Sequence, residues 1–61
     1  MSLRELRQKR GLTQKQLAER SGVNIRQIQR VELGESEAGN LTAKNLLALA
    51  DVLEIDPHKL I

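Results

Sequence analysis

Arg26, Gln29 and Arg30 are the residues best suited to chemistry in this 61-residue chain. On a helix at 100° per residue, with Ile28 placed at zero, Arg26, Gln29, Arg30 and Leu33 fall between about 100° and 200°. Asn24, Ile25, Val31 and Glu32 lie within about 60° of Ile28 and point inward or border the core. An outward Arg-Gln-Arg row suits the base edges of a major groove. Arginine bonds guanine O6 and N7 together, and glutamine or asparagine does the same at adenine N6 and N7. Lysine would satisfy bare charge, whereas these planar heads can choose between bases. An ordinary solvated helix face is the competing reading, and the row alone does not decide between them.

The elements around the row bear on that choice. Thr13-Gln14-Lys15-Gln16 reads as a capping box that opens a helix of about eight residues, which stops at Ser21-Gly22. Asn24 caps the next helix, which runs to about Leu33 and ends at Gly34. Two helices joined by a three-residue turn with glycine have the helix-turn-helix layout. Counted from Gln14, the fourth, fifth, ninth, tenth, fifteenth and eighteenth residues are Leu17, Ala18, Gly22, Val23, Ile28 and Val31. Each has a steric reason: Ala18 is small where helices approach, Gly22 permits positive φ, and the branched residues fill the space between.

Three more helices are expected. Ser2-Leu3-Arg4-Glu5 reads as a second capping box, before a stripe of Leu3, Leu6, Arg7 and Arg10 that Gly11 ends. Thr42 caps a helix with Leu46, Leu49, Ala50 and Leu53 at i, i+3, i+4 and i+7. Asp56-Pro57 starts a short fifth helix. Between them lies a polar stretch, Glu35 to Asn40, with Gly39-Asn40 as a turn signal. The fold class is all-α, a compact five-helix bundle in one domain over residues 1–61.

Composition narrows the function. With no aromatic residue, the stacking platforms of single-strand binders are missing. With no cysteine and one histidine, His58, thiolate zinc sites and paired-imidazole catalysis are excluded. Neither a phosphate-cradling glycine loop nor a carboxylate metal cluster is present, so no enzyme, cofactor or metal is expected. The longest apolar run, Leu46 to Ala50, is five residues, against the ~20 of a membrane span. No apolar stretch follows the first basic residues, and the expectation is a soluble, cytoplasmic protein. Residues 1–31 carry eight Lys/Arg and two Glu, net +6; residues 32–61 carry two Lys and six Asp/Glu, net −4; together they give +2. A cationic half beside an anionic half suggests a polyanion partner on one face.

The run Leu6-Arg7…Gly11-Leu12-Thr13-Gln14…Leu17-Ala18…Ser21-Gly22-Val23…Ile28…Glu32-Leu33-Gly34 resembles the Cro/C1-type (XRE) helix-turn-helix domain of phage repressors and bacterial regulators. The likeness continues through Leu49-Ala50…Leu53…Ile55-Asp56-Pro57…Leu60. It implies that the third helix enters the major groove while the start of the second rests on the phosphate backbone. Residue by residue, Asn24, Ile25, Arg26, Gln29 and Arg30 match positions facing bases or the adjoining backbone. Ile25 either touches a thymine methyl or packs on the core border. Gln14 matches a glutamine near a phosphate, and Lys15 and Arg10 are further phosphate candidates. Thr13 reads first as a cap and second as a phosphate contact. The resemblance also sets Arg7 beside Glu32, and an ion pair that positions the reading helix is expected there, since an unpaired inward charge would be costly.

Three departures stand out. The Gly34–Leu41 loop lacks the proline many relatives carry and holds two glutamates, Glu35 and Glu37. Leu33 replaces a polar residue, and Glu54 stands where relatives often have a helix-ending glycine. The expected function is sequence-specific binding of double-stranded DNA by a transcriptional regulator, a repressor, acting as a homodimer. Leu53, Ile55, Leu60 and Ile61 are the expected dimer contacts. The alternative is an antitoxin-like or regulatory module that binds a protein, a toxin or co-regulator, and the acidic second half favours it.

Overall fold

A helix begins where a short polar side chain can take the first free N–H groups, and four helices of this chain do so. The computed structural model describes residues 2–34 and 41–60. Its elements are α1 (Leu3–Lys9), α2 (Gln14–Ser21), α3 (Ile25–Glu32), α4 (Ala43–Leu53) and a 3₁₀ helix, η1 (Pro57–Leu60). The side chains of Ser2, Thr13, Asn24 and Thr42 accept from the N–H groups of Glu5, Gln16, Arg26 and Asn45. At Thr13 the exchange is reciprocal, because Gln16 Oε1 accepts from the Thr13 N–H at 2.9 Å. At Ser2 it differs from expectation: the hydroxyl donates to Glu5 Oε1 at 3.2 Å, in place of its backbone N–H.

The expected fifth α-helix is a 3₁₀ turn. Asp56 caps it by accepting the His58 N–H on Oδ1, and the Lys59 N–H bonds back three residues to the Asp56 carbonyl at 2.9 Å. Four residues suit that tighter winding. The His58 N–H, and then the imidazole, hold the exposed Asp56 carboxyl below its ordinary range. The polar stretch with Glu35, Glu37 and Gly39-Asn40, and Ile61, lie outside the described residues.

Leu3, Leu6, Leu12, Leu17, Val23, Ile28, Leu49, Ala50, Leu53 and Leu60 form one buried cluster. In packing, α2 sits against both α3 and α4, α1 touches α3, and α4 carries η1. Leu17 and Leu53 are wholly buried and Ile28 nearly so, which fixes α2, α3 and α4 to each other. Each such leucine or isoleucine contributes about 1.5–3 kcal/mol by leaving water. This packing corrects one expectation. Leu53 and Leu60, expected at a dimer contact, are spent on the chain's own core, and Ile55 is half-buried against it.

Gly22 makes the turn between α2 and α3. Its φ of +74° is left-handed, and its N–H closes α2 on the Ala18 carbonyl at 2.9 Å. Ser21 braces the same corner, donating to the Leu17 carbonyl at 2.6 Å and accepting the Val23 N–H at 3.2 Å.

Candidate nucleic-acid interface

The outer face of α3 is the row expected from its sequence. Arg26, Gln29 and Arg30 are exposed, as is the capping Asn24, and Leu33 ends the row 73% exposed. On the opposite side Ile28 is 1% exposed, so the helix cannot roll without pulling it from the core. A second tie holds the inner side: Asn45 Nδ2 of α4 donates to Gln27 Oε1 at 3.0 Å. Ile25 is half-buried and lines a shallow groove between α2 and α3 with Lys15, Ala18, Glu19 and Asn24. Its half-buried side chain faces that open groove.

Behind the row lies the ion pair. Arg7 Nε and Nη2 donate to Glu32 Oε2 and Oε1, both at 2.8 Å, a two-pronged contact between side chains 11% and 4% exposed. Burial pushes the Glu32 carboxyl up. The hydrogen bonds from Arg7 and Gln14, with the charges of Arg7 and Arg4, outweigh it and hold the group below the ordinary 4.5. The Glu32 hydrogen bond raises the Arg7 guanidinium further above its already high range, against the effect of burial. Both groups stay charged near neutrality.

Gln14 connects this pair to the exposed row of α3, which the sequence did not disclose. Its Nε2 donates to Glu32 Oε1 at 3.2 Å, and its Oε1 accepts from Gln29 Nε2 at 3.5 Å. Arg7, Glu32, Gln14 and Gln29 thus form a polar chain from α1 through the start of α2 to the outer face of α3. The amide of Gln29 is oriented by it, and the contact uses one of the two Nε2 hydrogens. The signal was geometric: Gln14 opens α2 where that helix passes the end of α3.

The expected phosphate residues divide. Gln14 and the exposed Lys15 stand beside the row at the start of α2, and Thr13 is exposed while its hydroxyl caps that helix. Arg10 is placed elsewhere: its Nε donates to the Leu53 carbonyl at 2.9 Å and its Nη1 pairs with Glu54 at 3.0 Å. Among the described residues no group of His, Asp or Glu is arranged to hold a metal, and no helix is long and apolar enough to cross a membrane.

A buried core that fixes one helix, a glycine turn before it, and exposed planar side chains along it define a helix-turn-helix DNA-binding domain. The corresponding family model, helix-turn-helix of the Cro/C1 type, matches residues 3–60, and the chain belongs to that family of DNA-binding, non-catalytic domains. No curated protein and no solved structure gives a match.

Proposed function

We propose that the chain is the sequence-reading domain of a transcriptional repressor that binds double-stranded DNA as a homodimer in the cytoplasm. The observation that carries this is the exposed row of Arg26, Gln29 and Arg30 on a helix locked from behind. In this reading Arg26 and Arg30 take guanine edges or adjoining phosphates, Gln29 takes adenine, Ile25 meets a thymine methyl, and Asn24 reads or positions at the helix start. Gln14, Lys15 and Thr13 seat the start of α2 on the phosphate backbone. Arg10 would have to leave Leu53 and Glu54 to reach a phosphate with its whole head, so its first service is to the fold.

The size of the domain supports a dimer. The described residues span 24 Å in their longest direction, against half-sites ~34–36 Å apart for dimeric domains of this layout. One copy covers one half-site. The second reading, a module for a toxin or co-regulator, rests on the net −4 of residues 32–61. Selection from a random duplex library at near-physiological salt tests the proposal. Enrichment of a half-site holding guanine and adenine at adjoining positions supports it. A folded protein that enriches nothing overturns it in favour of the protein-binding reading.

A further inference from the structure

The outer face of α4 has a basic residue and an acidic residue equally far from an apolar pair at its middle. Lys44, Leu47, Ala48 and Asp51 lie within about 100° of arc, with Lys44, Leu47 and Asp51 facing outward and Ala48 at the edge where the face meets the core. Lys44, Leu47 and Asp51 are exposed and Ala48 half-buried, while Leu49, Ala50 and Leu53 face inward. Leu47 is 56% exposed, one of two large hydrophobic side chains so placed among the described residues. It borders a shallow groove completed by Ala48, Ala50, Asp51, Ile55 and Pro57, lined mostly by carbon and floored by small residues. Among the described residues neither Lys44 nor Asp51 has an ion-pair partner, and one sits three residues before Leu47, the other three after Ala48.

We infer that this face is the contact between two copies of the chain, packed as antiparallel α4 helices about a two-fold axis between Leu47 and Ala48. The inference rests on the dimeric DNA-binding reading and names its missing surface. A two-fold contact must be self-complementary, residue i meeting j while j meets i. With the axis between positions 47 and 48, Lys44 of each copy faces Asp51 of the other, and each Leu47 faces Ala48 and the groove beside it. Ala48 and Ala50 leave room for the incoming leucine. Shifting the pair by four residues in one direction sets Leu47 against Lys44 and in the other sets Ala48 against Asp51, and either shift separates each Lys44 from the Asp51 it faces. A basic protein partner would use Asp51 but would meet Lys44 as a like charge, so the second copy fits better.

Charge exchange provides the test. The full chain and its Lys44→Asp, Asp51→Lys and doubly exchanged variants are compared by sedimentation equilibrium up to about 1 mM. Each single exchange sets like charges across both symmetric contacts and should raise the dimer dissociation constant about tenfold. The double exchange restores opposite charges and should return it to within about threefold of the parent. Leu47→Glu should abolish the dimer, with helix content by circular dichroism unchanged. A parent monomeric at the highest concentration, or a double exchange no better than the singles, overturns the inference. Binding to a duplex with one selected half-site is measured alongside. If it is equal for all variants, DNA reading stands whatever the dimer does; if it is absent from all, that reading is wrong while sedimentation still decides the α4 contact.

Discussion

Arg7 and Leu12 exchange hydrogen bonds in both directions. The Leu12 N–H donates to the Arg7 carbonyl at 3.2 Å, and Arg7 Nη1 donates to the Leu12 carbonyl at 2.7 Å. The first bond closes α1 across Gly11, and the second fixes the chain just before the Thr13 cap of α2. The other two nitrogens of the same guanidinium, Nε and Nη2, hold Glu32 at the end of α3. One side chain therefore sets three elements. Arg7→Ala leaves a buried carboxylate and the Leu12 carbonyl without their donor and should cost about 3 kcal/mol. That is most of what a domain this small has to lose. Urea unfolding followed by circular dichroism measures it. A loss under about 1 kcal/mol would mean that the pair is incidental.

The same pair sets a pH dependence whose sign can be reversed. The Glu32 carboxyl is held below its ordinary 4.5 in the folded chain, so it binds protons more readily when unfolded. Its contribution is fully present above about pH 4.5 and is lost as pH falls through the lower folded value. Glu32→Gln should make the acid limb of the stability profile shallower. Arg7→Met should invert the contribution, because burial, the strongest influence on Glu32, is then opposed only by Gln14 and the charge of Arg4. The folded carboxyl would then lie above the unfolded one, and acidification would stabilise this variant. Urea midpoints taken from about pH 3 to 7 decide it, and a parallel acid limb in parent and Arg7→Met would refute the account.

Gln14 should act on base choice through Gln29. Its Oε1 accepts from Gln29 Nε2, so Gln14→Ala frees the Gln29 amide to turn away from the base edge. Discrimination at the base facing Gln29 should fall by about 1 kcal/mol, with thermal stability reduced less than by any change at Arg7. Gln29→Ala should add little in the Gln14→Ala background, since residues in one hydrogen-bond network do not contribute independently. Additive losses of discrimination across the four proteins would show that Gln14 does not act on base choice through Gln29.

Much of this arrangement was legible in the sequence, for reasons that differ by residue. Thr13, Asn24 and Thr42 mark helix starts because capping is a local interaction, and Gly11 and Gly22 mark ends because few other residues adopt positive φ. The outward row followed from helical period alone. Arg7 beside Glu32 needed the family resemblance, since nothing local brings residues 25 positions apart together. The Gln14–Gln29 contact and the fastening of Arg10 to Leu53 and Glu54 depend on how two helices cross, which no periodicity records. The misplaced dimer contact has the same origin: Leu53 and Leu60 are buried where α4 and η1 close over each other, which no local pattern records.

Glu54 departs from its local rule. After α1, Gly11 has φ +68°, with the Gly11 and Leu12 N–H groups returning to the Gln8 and Arg7 carbonyls. After α4, Glu54 has φ +56°, and the Glu54 and Ile55 N–H groups return to the Asp51 and Ala50 carbonyls in the same pattern. The turn is as regular as its glycine counterpart but carries a Cβ in a region that costs an L residue roughly 1–2 kcal/mol. The exposed Arg10 pair gives back at most about 0.5 kcal/mol. Glu54→Gly should therefore stabilise the domain by about 1 kcal/mol and raise Tm by about 4–8 °C. Glu54→Ala, which loses the pair and keeps the Cβ, should not. Thermal melts of the two variants separate backbone strain from charge.

Arg26 and Lys15 should separate choice from affinity. Both are exposed, but Arg26 lies on the outer row of α3 and Lys15 at the start of α2. A planar head with two donors to one guanine carries sequence information, whereas an ammonium near a phosphate carries charge alone. Arg26→Ala should cost about 1–3 kcal/mol on the selected half-site and much less on duplexes altered at its base. Lys15→Ala should weaken all duplexes alike and reduce the slope of log affinity against log salt by about one. Titrations of both variants on matched and altered half-sites, repeated at several salt concentrations, give two independent readings. Should Arg26→Ala weaken every duplex equally and change the salt slope, Arg26 touches the backbone, and base choice falls to Gln29, Arg30 and Ile25.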